Sequence, residues 1–285
     1  MSVHRFCAMG CEVVVGGATD DERTSVERLF AALEQALSRF RPDSDLQRLN
    51  RASADAVFVT PILATSIDDA LRAAVASDGL VDPTIADAIR AAGYDRTFEH
   101  IGDAPVSDPS PAGRWREIRV AGCLVRRPAG LRLDLNGVAK GRAVDDALAL
   151  LEGDGFVSAG GDLATRGELA VSLPGDETVT LASGALATSG ITTRSWERAG
   201  RRAHHLIDPS TGAPADVRWE CVTVCAATCL AADVAAKTAF LLGDGGPDWL
   251  ERHGLDGRFV AESEVVVTRG WPAPSVAPRG VATCT

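Results

Sequence analysis

The chain has 285 residues, 46% of them apolar, and a formal charge of −10 at pH 7. Such a chain can bury a sizeable core in one or two domains, and its acidic balance excludes a nucleic-acid binder, which needs a basic footprint. No run approaches the ~20 apolar residues of a membrane span, and the N-terminus MSVHRFCAMG lacks the parts of a secretory signal, so a cytoplasmic location is expected.

In chain order, residues 13–15 read as a strand ending at Gly16 and Gly17. Val26, Leu29, Phe30, Leu33, Leu37 and Phe40 form a one-sided stripe, which predicts a helix over 23–40. Asp43 and Ser44 cap a short helix carrying Leu46 and Leu49, Pro61 opens a helix running to Ser77, and another short helix covers 85–92. The prolines Pro105, Pro109 and Pro111 mark a surface loop over 102–113. Residues 115–125 read as a hairpin turning at Ala121 and Gly122. Leu131, Leu133 and Leu135 alternate with Arg132 and Asp134, the period of a half-buried strand, and Asn136 and Gly137 break it before a helix over 140–151. Further strands are expected at 156–158, 169–173, 178–181, 222–225, 259–260 and 265–268, with an apolar helix over 231–242. Helices gather in the first hundred residues and strands in the remainder, which gives an α+β class: a single globular domain over 1–285, mostly antiparallel sheet with packed helices.

Seven cysteines, Cys7, Cys11, Cys123, Cys221, Cys225, Cys229 and Cys284, make an odd set without paired short spacings. That fits a reducing compartment better than a disulfide framework. Cys221, Cys225 and Cys229 cross from strand to helix and are expected as buried thiols rather than as a metal set.

Five segments carry the candidate chemistry. At 131–145, LRLDLNGVAKGRAVD sets Asp134 before a glycine turn and Lys140 after it, a cradle suited to a phosphate-bearing ligand or to a plain strand–helix junction. At 204–212, His204, His205 and Asp208 precede an Asp-Pro-Ser-Thr-Gly turn, so Asp208 either serves a site or holds the turn. Adjacent histidines in a strand face opposite ways, and only one can enter a given site. At 184–196, Thr188, Ser189 and Gly190 let a ligand approach the backbone, and Arg194, Arg198, Arg201 and Arg202 offer either an anion patch or a solvated surface. Gly160 and Gly161 before Asp162 allow close packing. Asp233 and Lys237, four apart on a helix, share one face.

Taken in order, these segments resemble the FAD:protein FMN transferase (ApbE) family over nearly the whole chain. The family's Met-Gly-Thr is similar to Met9-Gly10-Cys11, and its Phe-x-Pro-x-Ser-x-Leu-x-x-x-Asn run to the stretch from Phe40 to Asn50. Its Phe-Asp-Pro-Thr resembles Val81-Asp82-Pro83-Thr84, and its Asp-Leu-Gly-Gly-Ile-Ala-Lys-Gly resembles the run from Asp134 to Gly141. Gly-Gly-Asp recurs at Gly160 to Asp162, Ala-Thr-Ser-Gly at Ala187 to Gly190, and His-Ile-Ile-Asp-Pro-x-Thr-Gly at His205 to Gly212. Ala-Asp-x-x-x-Thr is partly matched from Ala232 to Lys237.

The resemblance implies cleavage of the FAD pyrophosphate and transfer of FMN to a Thr or Ser of an acceptor flavoprotein, with AMP released. It implies Mg²⁺, with Gly137, Asp233 and the position of Lys237 toward the metal. Asp134, Lys140, Met9, Asn50, Leu80, Val81, Asp82 and Ile207 would bind FAD. His205 would handle the acceptor's proton, and Asp208 would orient that imidazole or hold its turn. This chain departs from the family at Cys11, Val81 and above all Lys237, which stands where the family has a metal-ligating Thr. A charged Lys has no lone pair for a cation. Its ammonium either pairs with Asp233 and replaces part of the metal's charge, or snorkels away and leaves Asp233 to Mg²⁺. Two other functions stay open: an FAD pyrophosphatase yielding FMN and AMP, and a non-catalytic FAD-binding protein. A Ser-His-Asp hydrolase lacks a nucleophile elbow, and a metallohydrolase lacks spaced ligands.

Overall fold

The structure, a computed structural model, describes residues 2–101, 108, 110, 112–175, 177–198, 201–275 and 282–283. The chain divides into two compact units, one built from 1–31, 140–190 and 217–285 and the other from 32–139 and 191–216.

The first unit is organised by one sheet of eight strands: β1 (Val3–Ala8), β2 (Cys11–Gly16), β3 (Gly155–Ala159), β4 (Asp162–Arg166), β5 (Gly184–Gly190), β6 (Cys221–Ala226), β7 (Asp256–Ala261) and β8 (Glu264–Val267). They lie side by side in that order, and every neighbouring pair is antiparallel. Val13 stands opposite Ala159, and Thr188 opposite Thr223. The helix Cys229–Leu241 packs across β5 and β6, burying Ala232, Ala235, Ala236, Ala239 and Phe240. Leu169–Ser172 forms a small second sheet between Thr178–Leu181 and Ala282–Thr283.

The second unit holds the helices Asp45–Arg51, Pro61–Ala76 and Ala86–Ala91, and a three-stranded sheet of Ala56–Phe58, Leu124–Arg126 and Arg119–Ala121. Ser44 caps the first of these helices by accepting from the Gln47 N–H, and Thr60 caps the second. The hairpin Ser195–Arg198 and Arg201–His204 contributes Trp196 and Ala203 to a buried cluster with Ala88, Ile89, Tyr94 and Ile207. The helix Asp20–Leu37 starts in the first unit and ends in the second. Among the described residues no helix is long and apolar enough to cross a membrane.

The expected elements appear, with bounds shifted by a few residues, except at 131–135. That segment forms no strand and belongs to no sheet. Its polar backbone is satisfied by other groups. The Asn50 amide accepts from the Leu133 N–H at 2.8 Å and donates to its carbonyl at 2.9 Å. The Asp134 N–H reaches the Pro83 carbonyl at 2.9 Å. A side-chain amide carries the same donor–acceptor pair as a peptide, so Asn50 replaces a neighbouring strand. Alternation survives for the leucines, but Asp134 is buried with them, because it has a partner of its own. The hairpin after Trp115 turns at Gly122 and Cys123 rather than at Ala121 and Gly122. Pro105, Pro109, Pro111 and Cys284 lie outside the described residues.

Candidate functional site

In the first unit, two helices are locked together and aim four charges inward. Gly141 makes this possible: a Cβ there would meet the Leu230 Cα at 2.8 Å, the Cys229 carbonyl oxygen at 3.0 Å and the Asp233 Cβ at 3.1 Å. The helix Ala139–Ala149 therefore lies against the start of the helix Cys229–Leu241. Asp145 secures the junction by accepting from the Cys229 and Leu230 N–H groups at 2.7 and 2.9 Å, where the helix dipole favours a carboxylate. One turn earlier, Lys140 donates to Asp162, and two turns into the second helix Lys237 donates to Asp233. Asp162 opens β4 after a two-residue hairpin at Gly160 and Gly161, whose φ angles of 54° and 94° suit glycine.

Both carboxylates are almost sealed from solvent, at 0% exposure for Asp162 and 1% for Asp233. Among the described residues, Asp162 Oδ1 and Asp233 Oδ2 accept no hydrogen bond. Burial, and then the charge of Asp233, push the Asp162 carboxyl up to about 6 against the pull of Lys140 and Lys237. Burial drives the Cys229 thiol up as well, aided by Asp162, Asp233 and Asp145, so it stays neutral. Cys221, pushed up to about 11 by burial, is equally inert. Cys221 and Cys225 share one strand while Cys229 opens a helix, and no set of three metal-ligating side chains forms among the described residues.

Met9 sits at the β1–β2 turn with φ of 51°, a conformation that costs a non-glycine residue energy and occurs where neighbours enforce it. Thr188 does not face a loop. Its strand is central in the sheet, its N–H reaches the Gly161 carbonyl at 3.1 Å, and its hydroxyl meets that of Thr223 at 2.9 Å.

The second unit holds the other candidates. Asp134 faces Arg39, with Nε 3.2 Å from Oδ2 and the side chains 1% and 8% exposed, and it also accepts from the Asn136 N–H at 2.8 Å. Arg39 in turn donates to the Tyr94 carbonyl at 2.6 Å, and its guanidinium lies over the Phe40 and Tyr94 rings. Asp82 is a local organiser. It accepts from the Thr84 N–H and hydroxyl, each at 2.7 Å, and from the Gly113 N–H at 2.5 Å. Val81 is buried beside Gly137, where a Cβ would stand 3.2 Å from its Cγ1, and Leu80 is half-buried. Ile207 packs into the Tyr94–Trp196 cluster.

The two histidines separate as a strand requires. His204 is buried, its Nε2 is 3.1 Å from the Ala215 carbonyl, and burial lowers its pKa. His205 is half-buried, with Nδ1 3.3 Å from the Arg194 carbonyl. Asp208 accepts from the Ser210 N–H and hydroxyl at 2.8 and 2.7 Å, the geometry of a turn-holding side chain. An arginine-rich cavity of about 530 Å³ borders Arg39 and Asn50, with Arg51, Arg90 and Arg132 on its wall.

The sequence model of the ApbE family matches residues 9–259. The chain belongs to the ApbE family. It is 30% identical over 280 residues to the FAD:protein FMN transferase of Salmonella typhimurium, covering 88% of this chain and 80% of that protein. A protein of the same name from Treponema pallidum is 30% identical over 259 residues, covering 77% and 71%. Among solved structures, an ApbE protein of Thermotoga maritima has a TM-score of 0.81 at 25% identity, covering 94% of this chain and 97% of that one. A flavinyl transferase ApbE of Pseudomonas stutzeri shares the fold at a TM-score of 0.80.

Within this ApbE chain, three partnerships have no signal in the sequence. Arg39 pairs with Asp134, Asp162 holds Lys140, and Asp145 caps the second helix. Arg39 and Asp145 carry no local signal, because their partners lie far along the chain. Asp162 was visible only through its two glycines. Lys237 does not snorkel away. Its side chain is 15% exposed and its ammonium faces Asp233, so it is an ion-pair donor and not a cation ligand.

Proposed function

We propose that this chain is an FAD:protein FMN transferase acting on an acceptor flavoprotein. The observation that carries the reading is the ion-paired set Lys140, Asp162, Asp233 and Lys237, its carboxylates buried, within the region that the ApbE family model matches. A largely covered ammonium group at a helix N-terminus, as at Lys140, suits a pyrophosphate, whose transfer depends on positioning and charge neutralisation.

In the proposed reaction, the hydroxyl oxygen of an acceptor Thr or Ser attacks the FMN-side phosphorus. A new P–O ester bond forms, the bond from that phosphorus to the bridging oxygen breaks, and AMP leaves with the electron pair. The hydroxyl proton passes to His205. Its Nδ1 faces the Arg194 carbonyl, which favours the tautomer with the proton on Nδ1 and leaves Nε2 as the base. Asp208 holds the turn after this histidine. Lys140 brings its positive charge to the phosphate oxygens, and Asp134, fixed by Arg39, anchors the glycine turn. The stretch from Leu80 to Asp82, held through Asp82, lines the flavin side with Asn50 and Ile207, and Met9 is a further FAD-binding candidate.

The orphaned oxygens of Asp162 and Asp233 suit Mg²⁺, which takes hard oxygen ligands, whereas Lys237 does not. When bound, the ion would offset charge on the pyrophosphate oxygens. Gly137 offers only a backbone carbonyl.

The test incubates the protein with FAD, Mg²⁺ and a candidate acceptor, and follows the acceptor's intact mass together with AMP. Equal amounts of FMN adduct and AMP support the transferase. AMP without adduct across acceptors identifies the pyrophosphatase, and bound FAD with neither product identifies a binding protein. In the active system, His205→Gln is expected to slow transfer by ~10²–10⁴-fold with FAD affinity retained. An unchanged rate removes His205 from the chemistry.

A further inference from the structure

The four paired charges of the first unit balance to zero: two buried carboxylates and two largely covered ammonium groups. Asp145 is answered separately by the N-terminus of the helix Cys229–Leu241, and Cys229 adds no charge. Each carboxylate gives one oxygen to a lysine and keeps the other buried without a donor: Oδ1 of Asp162 and Oδ2 of Asp233. Asp233, Lys140 and Lys237 are all near enough to act on the charge of Asp162.

A buried acceptor with no donor is costly and marks a place for a cation or a donor that arrives later. A divalent ion entering alone, however, would leave the set with two uncompensated positive charges away from water. A dianionic group arriving with it restores neutrality.

We propose that Asp162 and Asp233 together form a divalent-cation seat that Lys140 and Lys237 hold closed until a pyrophosphate dianion binds. Asp162 is thereby a ligand rather than only the partner of Lys140. Lys237 is a positioning residue that makes cation and anion binding mutually dependent. The inference rests on the transferase reading only for the identity of the anion, the pyrophosphate of a dinucleotide. Coupling of this kind is reciprocal: each ligand tightens the other by the same factor.

The test measures Mn²⁺ binding by electron paramagnetic resonance, with and without FAD, corrected for Mn²⁺ bound to FAD in buffer, and FAD binding by flavin fluorescence. The wild-type protein is expected to bind Mn²⁺ at least tenfold more tightly with FAD than without, and FAD correspondingly more tightly with Mn²⁺. Lys237→Met is expected to bind Mn²⁺ at least tenfold more tightly than wild type in the absence of FAD, with the coupling reduced. Asp162→Asn is expected to weaken Mn²⁺ binding in the FAD complex at least tenfold. Lys237→Thr serves as the second variant if circular dichroism shows Lys237→Met unfolded. Equal Mn²⁺ affinity with and without the anion, or no gain in either Lys237 variant, overturns the proposal. Inorganic pyrophosphate in place of FAD separates the two readings. Coupling to pyrophosphate without FAD binding keeps the seat and rejects the dinucleotide, while FAD binding without coupling keeps the dinucleotide and rejects the seat.

Discussion

Replacing Arg39 with Met would remove the guanidinium that faces Asp134 while keeping much of the apolar stem packed against Phe40 and Tyr94. The carboxylate would stay buried without its counter-charge, which costs about 3–5 kcal/mol. Urea unfolding of Arg39→Met should show that loss, and Arg39→Met with Asp134→Asn should recover part of it. A change below about 1 kcal/mol would mean that solvent reaches the pair. His204 acts through protonation instead. Burial lowers its pKa in the fold, so its contribution to stability is complete above its unfolded value, near 6.5. The contribution is lost as pH falls through the lowered folded value. Between pH 7 and 5 the melting temperature should fall more for the wild type than for His204→Gln. Equal slopes would refute the assignment.

The pair formed by the helices Ala139–Ala149 and Cys229–Leu241 is held by Gly141 and Asp145. Gly141→Val should force the helices apart, with loss of FAD binding as well as stability. Asp145→Ala removes two charge-assisted hydrogen bonds and should cost about 2–3 kcal/mol in chemical denaturation. An Asp145→Ala protein as stable as wild type would mean that water replaces the cap. Elements of this kind were legible where a local pattern dictated them, as in the stripe from Val26 to Leu37, the cap at Ser44 and the helix opened by Pro61. Lys140, Asp233 and Lys237, which the structure holds in ion pairs, lie in short motifs that the sequence presents in order. Where long-range partners decide, the pattern misled. Leu131, Leu133 and Leu135 alternate like a strand, yet Asn50 supplies their pairing. Gly184–Gly190 is composed of small and polar residues, yet it runs through the centre of the sheet. Only glycine fits at Gly190, where a Cβ would stand 2.6 Å from the Glu220 carbonyl oxygen. Its neighbours β4 and β6, rather than its own propensity, make it a strand.

Across the whole molecule, each compact unit is assembled from separated stretches of chain. The core of the second unit needs Trp196 and Ile207 against Ala88, Ile89 and Tyr94, and the sheet of the first needs Ala159 opposite Val13. A fragment ending at residue 139 therefore contains neither core complete. It should show no cooperative thermal transition and a flat near-ultraviolet circular dichroism spectrum. A sharp melt would show that the helices of the second unit stand without Trp196.

The same interleaving sets a schedule during synthesis. As the chain leaves the ribosome, the β1–β2 hairpin cannot find β3 until the whole stretch 32–139 has passed. That stretch must wait in turn for 191–216, and the first sheet stays open until β6, β7 and β8 are made. Closing contacts this far apart in sequence slows folding and leaves apolar edges uncovered meanwhile. Nascent chains of this protein thus keep the outer edge of the β1–β2 hairpin unpaired until residues 155–159 have been made, a long window for pairing with other chains.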